Sequence, residues 1–337
     1  MIQISFRVLS AMLCSAALLG PAVGPALGDA YLADLPYPYD VARVELRSQG
    51  QDLWMSYMDI APEAPNGRTV VLLHGKNFCG ATWESVIGAL SGAGYRVVVP
   101  DQIGFCRSAK PRAYQYSLHQ LAANTHALIE KLGIEKPIIL GHSMGGMLGI
   151  RYALMYPDQT AALVLVNPIG LEDWKAKGVP LVTVDELYAR EKKTSAETIK
   201  KYQQNVYYHG NWRPEYDRWV EMLASMYAGK GGDIVAWSQA LTSDMVLSQP
   251  VIYEVDKLRV PTLMLIGMKD TTAIGRDRAA PDVAKTLGNY AALAPQVAAQ
   301  IKGSQLVTFP ELGHSPQVED PARFNAALIQ SLGALLQ

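Results

Sequence analysis

The sequence predicts an α/β fold with a mostly parallel eight-stranded sheet and a helical insertion, and three observations carry that reading. Six short runs, Thr69 to Leu73, Tyr95 to Val99, Pro137 to Leu140, Ala162 to Val166, Pro261 to Ile266 and Gln305 to Phe309, are rich in Val, Leu and Ile and bounded by turn residues. Strands buried on both faces of a sheet have that composition. Helical stretches separate most of these runs, so strand and helix alternate, and right-handed crossovers follow. From Leu171 to Tyr253 the alternation stops and a helical, aromatic-rich stretch takes its place.

At 337 residues with a net charge of −1, the chain accommodates one large domain with an insertion. The expected division is a leading segment over 1–28, a core over 41–170 and 254–337, and the insertion over 171–253. No repeat, low-complexity tract or basic block interrupts it, which argues against nucleic acid and anionic membrane surfaces as partners. The leading segment reads as a signal peptide. Met1 to Arg7 carries one positive charge, Val8 to Leu19 is apolar, and Gly20, Pro21, Gly24, Pro25 and Gly28 break any helix. That run is shorter than the ~20 residues a spanning helix needs. Cleavage is expected at about 28–30, giving a periplasmic or secreted protein with no stable membrane insertion. Cys14 falls inside the signal and follows Leu13, which is not the small residue a lipid-attachment site requires.

Taken in order, Val41 to Leu46 and then Leu53, Met55 and Tyr57 alternate as two half-buried strands do. Trp83 to Ala93 and Leu118 to Leu132 have apolar residues at helical spacing, and Ser117 with Gln120 forms a capping-box pattern before the second. Gly92-Ala93-Gly94 precedes a strand and reads as a helix stop. Asp320 and Pro321 read as the cap and first position of a closing helix. In the insertion, aromatics including Trp174, Tyr188, Tyr202, Tyr207, Tyr208 and Trp212 mostly form its own core, with some facing a ligand and favouring an apolar one.

The chemistry-bearing motif follows the run ending at Leu140. Gly141-His142-Ser143-Met144-Gly145 joins that strand to the helical pattern Met147 to Tyr156, which is G-x-S-x-G in the strand–turn–helix context that exposes a serine hydroxyl at the positive end of a helix. At this point the chain resembles the α/β-hydrolase family, in its branch with a single cap insertion, from about Val41 onward. His74-Gly75 ends the third strand, Asp101 to Phe105 follows the fourth, Gly267-Met268-Lys269-Asp270 the seventh and Gly313-His314-Ser315-Pro316 the eighth. The order nucleophile, acid, base matches this family.

A hydroxyl needs an adjacent base, and that base an orienting carboxylate. The resemblance implies Ser143 as nucleophile, His314 as base and Asp270 as acid, with Glu172, Asp173 and Asp277 as rivals for the acid. It implies an oxyanion hole from the backbone N–H of Met144 and of one residue of the loop after His74, with Lys76 favoured and Asn77 the alternative; only their backbone is assigned, and the plain expectation for the two side chains is solvent. His74 reads as structural, His142 as the variable elbow residue, His119 and His126 as a partly solvated helix face, and His209 as a weak substrate contact. In this fold the third and fourth strands are neighbours, so Cys79 and Cys106, which follow them, are expected at one face and within reach of a disulfide.

The implied activity is hydrolysis of a carboxylic ester of an apolar small molecule. Thioester, amide and lactone cleavage, carbon–carbon bond hydrolysis and perhydrolase chemistry share the same triad, and a non-catalytic ligand-binding protein shares the scaffold. Serine as nucleophile argues against haloalkane dehalogenase or epoxide hydrolase activity, which use aspartate there. No cofactor is implied: there is no H-E-x-x-H and no cysteine cluster with metal spacing, and Gly75-Lys76 lacks the preceding glycine of a phosphate loop.

Overall fold

The structure, a computed structural model, describes residues 29–336; the expected signal peptide lies outside the described residues. Eight strands, β1 (Val41–Ser48), β2 (Gln51–Ile60), β3 (Thr69–Leu73), β4 (Arg96–Pro100), β5 (Ile138–His142), β6 (Ala162–Val166), β7 (Thr262–Gly267) and β8 (Gln305–Phe309), form one sheet in the order β1-β2-β4-β3-β5-β6-β7-β8. β1 and β2 pair antiparallel, β2 meets β4 antiparallel, and the pairs from β4 to β8 are parallel. The strands fall within two or three residues of the runs seen in the sequence. The alternating β1 half-buries itself at the sheet edge, while the mostly apolar β5, β6 and β7 are buried at every position.

The period of two in each strand divides the core between two layers. Val70, Leu72, Val97, Val99, Ile138, Leu140, Val164 and Leu263 pack with α1 (Glu84–Gly92) and, through Phe324, Leu328 and Leu332, with the closing helix Pro321–Leu335. Val71, Leu73, Val98, Ile139, Leu163, Leu165 and Met264 pack on the other face with α2 (Leu118–Lys131) and α3 (Met144–Met155). Burying an aliphatic side chain of this kind stabilises by about 1.5–3 kcal/mol before entropy is charged against it, so the two-sided strands are the least replaceable part of the chain.

Helix boundaries follow their local chemistry. Ser117 accepts the backbone N–H of Gln120 at 3.0 Å, but the Gln120 side chain donates to Asn124 instead of returning to the Ser117 backbone, so the expected capping box is a simple N-cap. Asp320 caps the closing helix by accepting from Arg323 N–H, and Pro321 opens it. Gly94, at φ +87°, ends the turn after α1.

Between β6 and β7 the chain forms α4 (Val184–Glu191), α5 (Ala196–Tyr202), a π-helical turn at Gln203–Tyr207, α6 (Asp217–Ala228) and α7 (Gly232–Ser248). Thr183 and Ser195 cap α4 and α5 with complete reciprocal boxes. Trp219, Val220, Leu223 and Met226 of α6 join Leu187, Ile199 and Val235 in the same buried apolar cluster as the α2 and α3 side chains, so the insertion is continuous with the core through buried side chains.

Candidate active site

Strand order reverses where β3 stands between β4 and β5, and ligands of open parallel sheets bind in the crevice at the carboxyl ends of such strands. The loops leaving β3, β5, β7 and β8 converge there.

Ser143 follows β5 at φ 56° and ψ −119°, a conformation costly for a residue with a Cβ. The flanking glycines make the turn possible. A Cβ on Gly141 would strike the Gly145 carbonyl, and one on Gly145 would strike the Leu73 carbonyl, so α3 can close on β5 and on the end of β3 only with no side chain at either position. Val166 accepts the Ser143 N–H at 3.1 Å, and the Ser143 carbonyl accepts from Gly146 and Ile169. The serine is thus pinned on three sides, with 4% of its surface exposed.

Ser143 Oγ lies 2.9 Å from Nε2 of His314, and Nδ1 of His314 lies 2.7 Å from Oδ2 of Asp270. Histidine and aspartate are fully buried side chains, and the carboxylate at Nδ1 holds that nitrogen protonated, leaving Nε2 to accept from the hydroxyl. Asp270 is held in turn. Thr272 N–H donates to Oδ1 at 2.8 Å, and Asn167 Nδ2 donates to Oδ2 at 2.9 Å. Asn167 is a residue the sequence reading missed. It follows β6 directly at φ 38°, a backbone region asparagine tolerates better than most side chains, and it also bonds both the N–H and the carbonyl of Gly267.

The rival acids are engaged elsewhere. Glu172 accepts from Trp174 Nε1 at 2.9 Å, from the Gly288 N–H and from Lys177. Asp173 accepts from Tyr253 and from two backbone N–H groups of its own turn. Asp277 is exposed and pairs with Arg190.

Four of the other described histidines have structural partners. His74 donates from Nδ1 to the Gly75 carbonyl and accepts the Gln102 N–H at Nε2, and burial lowers its pKa. His142 does more than fill a variable position: its Nε2 donates to the carbonyl of His314 at 2.8 Å, and burial, reinforced by the nearby His314, pushes its pKa well below the usual histidine range. A neutral His142 therefore fixes the loop that carries His314. His126 stacks on Tyr156, and His119 is exposed on α2. His209 lies 3.4 Å from Glu319, whose Oε1 accepts the Gly313 N–H.

Met144 is the first residue of α3, so its N–H has no acceptor within the helix. In the loop after β3, the side chains of Lys76 and Asn77 are not in solvent as expected. Lys76 Nζ pairs with Glu191 Oε1 of α4 at 3.0 Å, and Tyr227 of α6 donates to the other oxygen of Glu191. Asn77 Nδ2 donates to the hydroxyl of Tyr207 at 2.8 Å. Two contacts thus tie this loop to the insertion, because long polar side chains beside a cavity find partners across it. Tyr207 stacks on the His314 ring at 4.6 Å, and its carbonyl accepts the His314 N–H at 2.9 Å. Gly313 admits that carbonyl, which any Cβ there would strike. A π-turn is often found at functional sites, and here it delivers Tyr207 onto the histidine.

Below the insertion lies a cavity of about 670 Å³. Ser143 and His314 do not line it. Its walls include Lys76 and Asn77 of the loop after β3 and Thr271, which follows Asp270, with Ile199, Tyr202, Leu223 and Met226 supplying apolar surface from the insertion. Cys79 and Cys106 are disulfide-bonded at a Cα separation of 5.8 Å, joining the segments after β3 and β4, and Cys106 borders the cavity.

A model of the alpha/beta hydrolase fold matches residues 68–321. The chain belongs to that family. This α/β-hydrolase resembles a probable hydrolytic enzyme from Pseudomonas aeruginosa PAO1, at 56% identity and a TM-score of 0.90, over 91% of this chain and 98% of that one. It is 27% identical to a 2-hydroxy-6-oxo-6-phenylhexa-2,4-dienoate hydrolase of Burkholderia cepacia across 80% of its own length and 89% of the relative's. A cis-3-alkyl-4-alkyloxetan-2-one decarboxylase of Xanthomonas campestris is 35% identical over 139 residues, a match spanning 39% of this α/β-hydrolase and 44% of the relative.

Proposed function

We propose that this α/β-hydrolase is an exported serine hydrolase that cleaves a carboxylic ester, or a related acyl bond, of a small apolar molecule. The observation that carries the reading is the unbroken chain Ser143 Oγ to His314 Nε2 to Asp270 Oδ2, at 2.9 and 2.7 Å. His314 takes the hydroxyl proton as Ser143 attacks the carbonyl, then gives it to the leaving group, and an acyl-enzyme remains. Water activated by His314 completes the cycle. Asp270 keeps the imidazole in the working tautomer and stabilises its charged form. The N–H groups of Met144 and of Lys76 or Asn77 hold the developing oxyanion, each worth about 2.7–4 kcal/mol where such donors have been removed in other hydrolases. The apolar side chains that α5 and α6 contribute to the cavity support an apolar acyl or alcohol group, and the helices of 171–253 act as its cap. The Cys79–Cys106 bridge favours an oxidising compartment.

Carbon–carbon bond hydrolysis is the second reading, favoured by the similarity to the Burkholderia dienoate hydrolase over most of both chains. The two separate in one assay. The protein is offered p-nitrophenyl esters of graded chain length and a vinylogous 1,5-diketone acid, and kcat/KM is read for each. The ester reading expects turnover that peaks at an intermediate chain length and disappears in Ser143→Ala. Turnover of the diketone alone replaces it with the second reading, and ester turnover that survives Ser143→Ala overturns the mechanism.

A further inference from the structure

Four cationic side chains, Lys76, Arg190, Arg276 and Arg278, line the cavity, against two carboxylates, Glu191 and Asp277. Both carboxylates are engaged. Glu191 holds Lys76 at 3.0 Å, and Asp277 holds Arg190 at 3.1 Å while standing 3.9 Å from Arg278. Arg276 has no carboxylate partner among the described residues; it donates to the backbone carbonyls of Thr271 and Leu287. The cavity therefore holds more positive charge than its walls neutralise.

Arg278 has the most unmet donors of the four. Its side chain is only 11% exposed, and its Nε and Nη2 are buried without an acceptor among the described residues. A guanidinium removed from water and left short of acceptors is expensive, because both its charge and its N–H groups lose hydration without replacement. Burial lowers the pKa of Arg278 even with Asp277 and Glu186 nearby to oppose it. Gln203, 1% exposed and also on the cavity wall, has neither amide atom partnered. Two independent side chains at one cavity thus lack the polar partners that buried groups almost always have.

We propose that the Arg276–Arg278 wall is a subsite for a carboxylate carried by the substrate, in addition to the bond broken at Ser143. The inference rests on the hydrolase reading and narrows it to acyl compounds that are apolar along their length and anionic at one end. A planar guanidinium fork matches a carboxylate in a way that a point charge does not, and the Gln203 amide can donate to the same group. The charge left over on the cavity wall is then met by the ligand.

The test uses p-nitrophenyl monoesters of straight-chain dicarboxylic acids of four to eight carbons, each beside the neutral p-nitrophenyl ester of equal length, at low ionic strength. At the best length the wild type should favour the charged ester by about tenfold or more in kcat/KM, expressed mainly in KM. Arg278→Gln should bring the ratio to about one or below, and Arg278→Lys should retain part of it. Preference for the neutral ester at every length, or a charged-ester preference that survives Arg278→Gln, overturns the proposal. A binding arm keeps it separate from the hydrolase reading: glutarate and adipate should raise the Tm of Ser143→Ala, their dimethyl esters should not, and Arg278→Gln should lose the shift. If no ester is turned over, the ester reading falls while the Tm arm still decides the carboxylate subsite. Equal shifts from the diacids and their dimethyl esters, or a diacid shift kept in Arg278→Gln, would refute it.

Discussion

Asn167 and Asp270 meet at 2.9 Å, side chain to side chain, on the same carboxylate oxygen that accepts from His314. The acid therefore has one direction left in which to point, and that direction is the imidazole. Asn167→Ala removes this bond together with two bonds to the Gly267 backbone. At about 1 kcal/mol per buried hydrogen bond, stability should fall by roughly 3 kcal/mol, and kcat/KM by about tenfold or more as the carboxylate loosens. Denaturant unfolding and ester kinetics on the same sample check both; wild-type kinetics in a destabilised variant would show that Asn167 serves the fold alone.

The loop after β3 is tied to the insertion by Asn77 to Tyr207 and by Lys76 to Glu191. Tyr207→Phe removes the acceptor for Asn77 and keeps the ring over His314, so kcat should drop several-fold with little change in Tm. Glu191→Gln should act in the same direction, because it weakens the pair that fixes Lys76. The pair is only slightly exposed, with side-chain exposures of 11% and 17%, so solvent screens it less than a surface bridge. Unchanged kcat in both variants would mean that the loop holds its shape unaided.

Glu319 gives stability a pH dependence. Burial, opposed by hydrogen bonds from Gly313 and Ser315 N–H, raises its pKa to about 7, with Asp270 adding to the rise and Arg213 opposing it. The folded state keeps the proton in a window, from the ordinary carboxylate value up to about 7, where the unfolded chain has released it. Stability must then fall as pH rises through that window, by up to about 3 kcal/mol from this group alone. Glu319→Gln retains an acceptor for Gly313 and should flatten the profile, with its advantage over wild type larger at pH 8 than at pH 5. Chemical denaturation at the two pH values reads it, and parallel profiles would contradict the assignment.

The bridge between Cys79 and Cys106 closes a loop of 27 residues in sequence separation. In the chain-entropy picture it contributes about 3.5 kcal/mol. Replacing both cysteines by serine should lower Tm by several degrees and reduce kcat as well, since the bridge anchors the loop that carries Lys76. A loss of Tm with kcat intact would confine the bridge to stability.

Much of this was legible in the residues. Strands such as Ala162 to Val166 announce themselves because both faces are buried, and the serine turn because Gly141 and Gly145 have no substitute where α3 approaches β5 and β3. The side-chain partners of Lys76 and Asn77 were not legible for a physical reason: whether a polar side chain beside a cavity meets solvent or a partner depends on an element more than 100 residues away, here Glu191 and Tyr207. Asn167 was missed because a single asparagine at a strand end carries no local pattern. His142, read as variable, gains its role only from the carbonyl of His314 across the sheet end.

The most direct measurement is labelling by a neutral fluorophosphonate, followed by mapping of the modified residue by mass spectrometry. An unactivated hydroxyl does not react with the probe, so reaction reports the hydrogen-bond chain itself. The expected result is one equivalent incorporated on Ser143, labelling abolished in Ser143→Ala, and labelling slowed by orders of magnitude in His314→Ala and Asp270→Asn with the fold retained. Folded wild-type protein that takes up no label, or that is labelled equally fast without His314, would contradict the account.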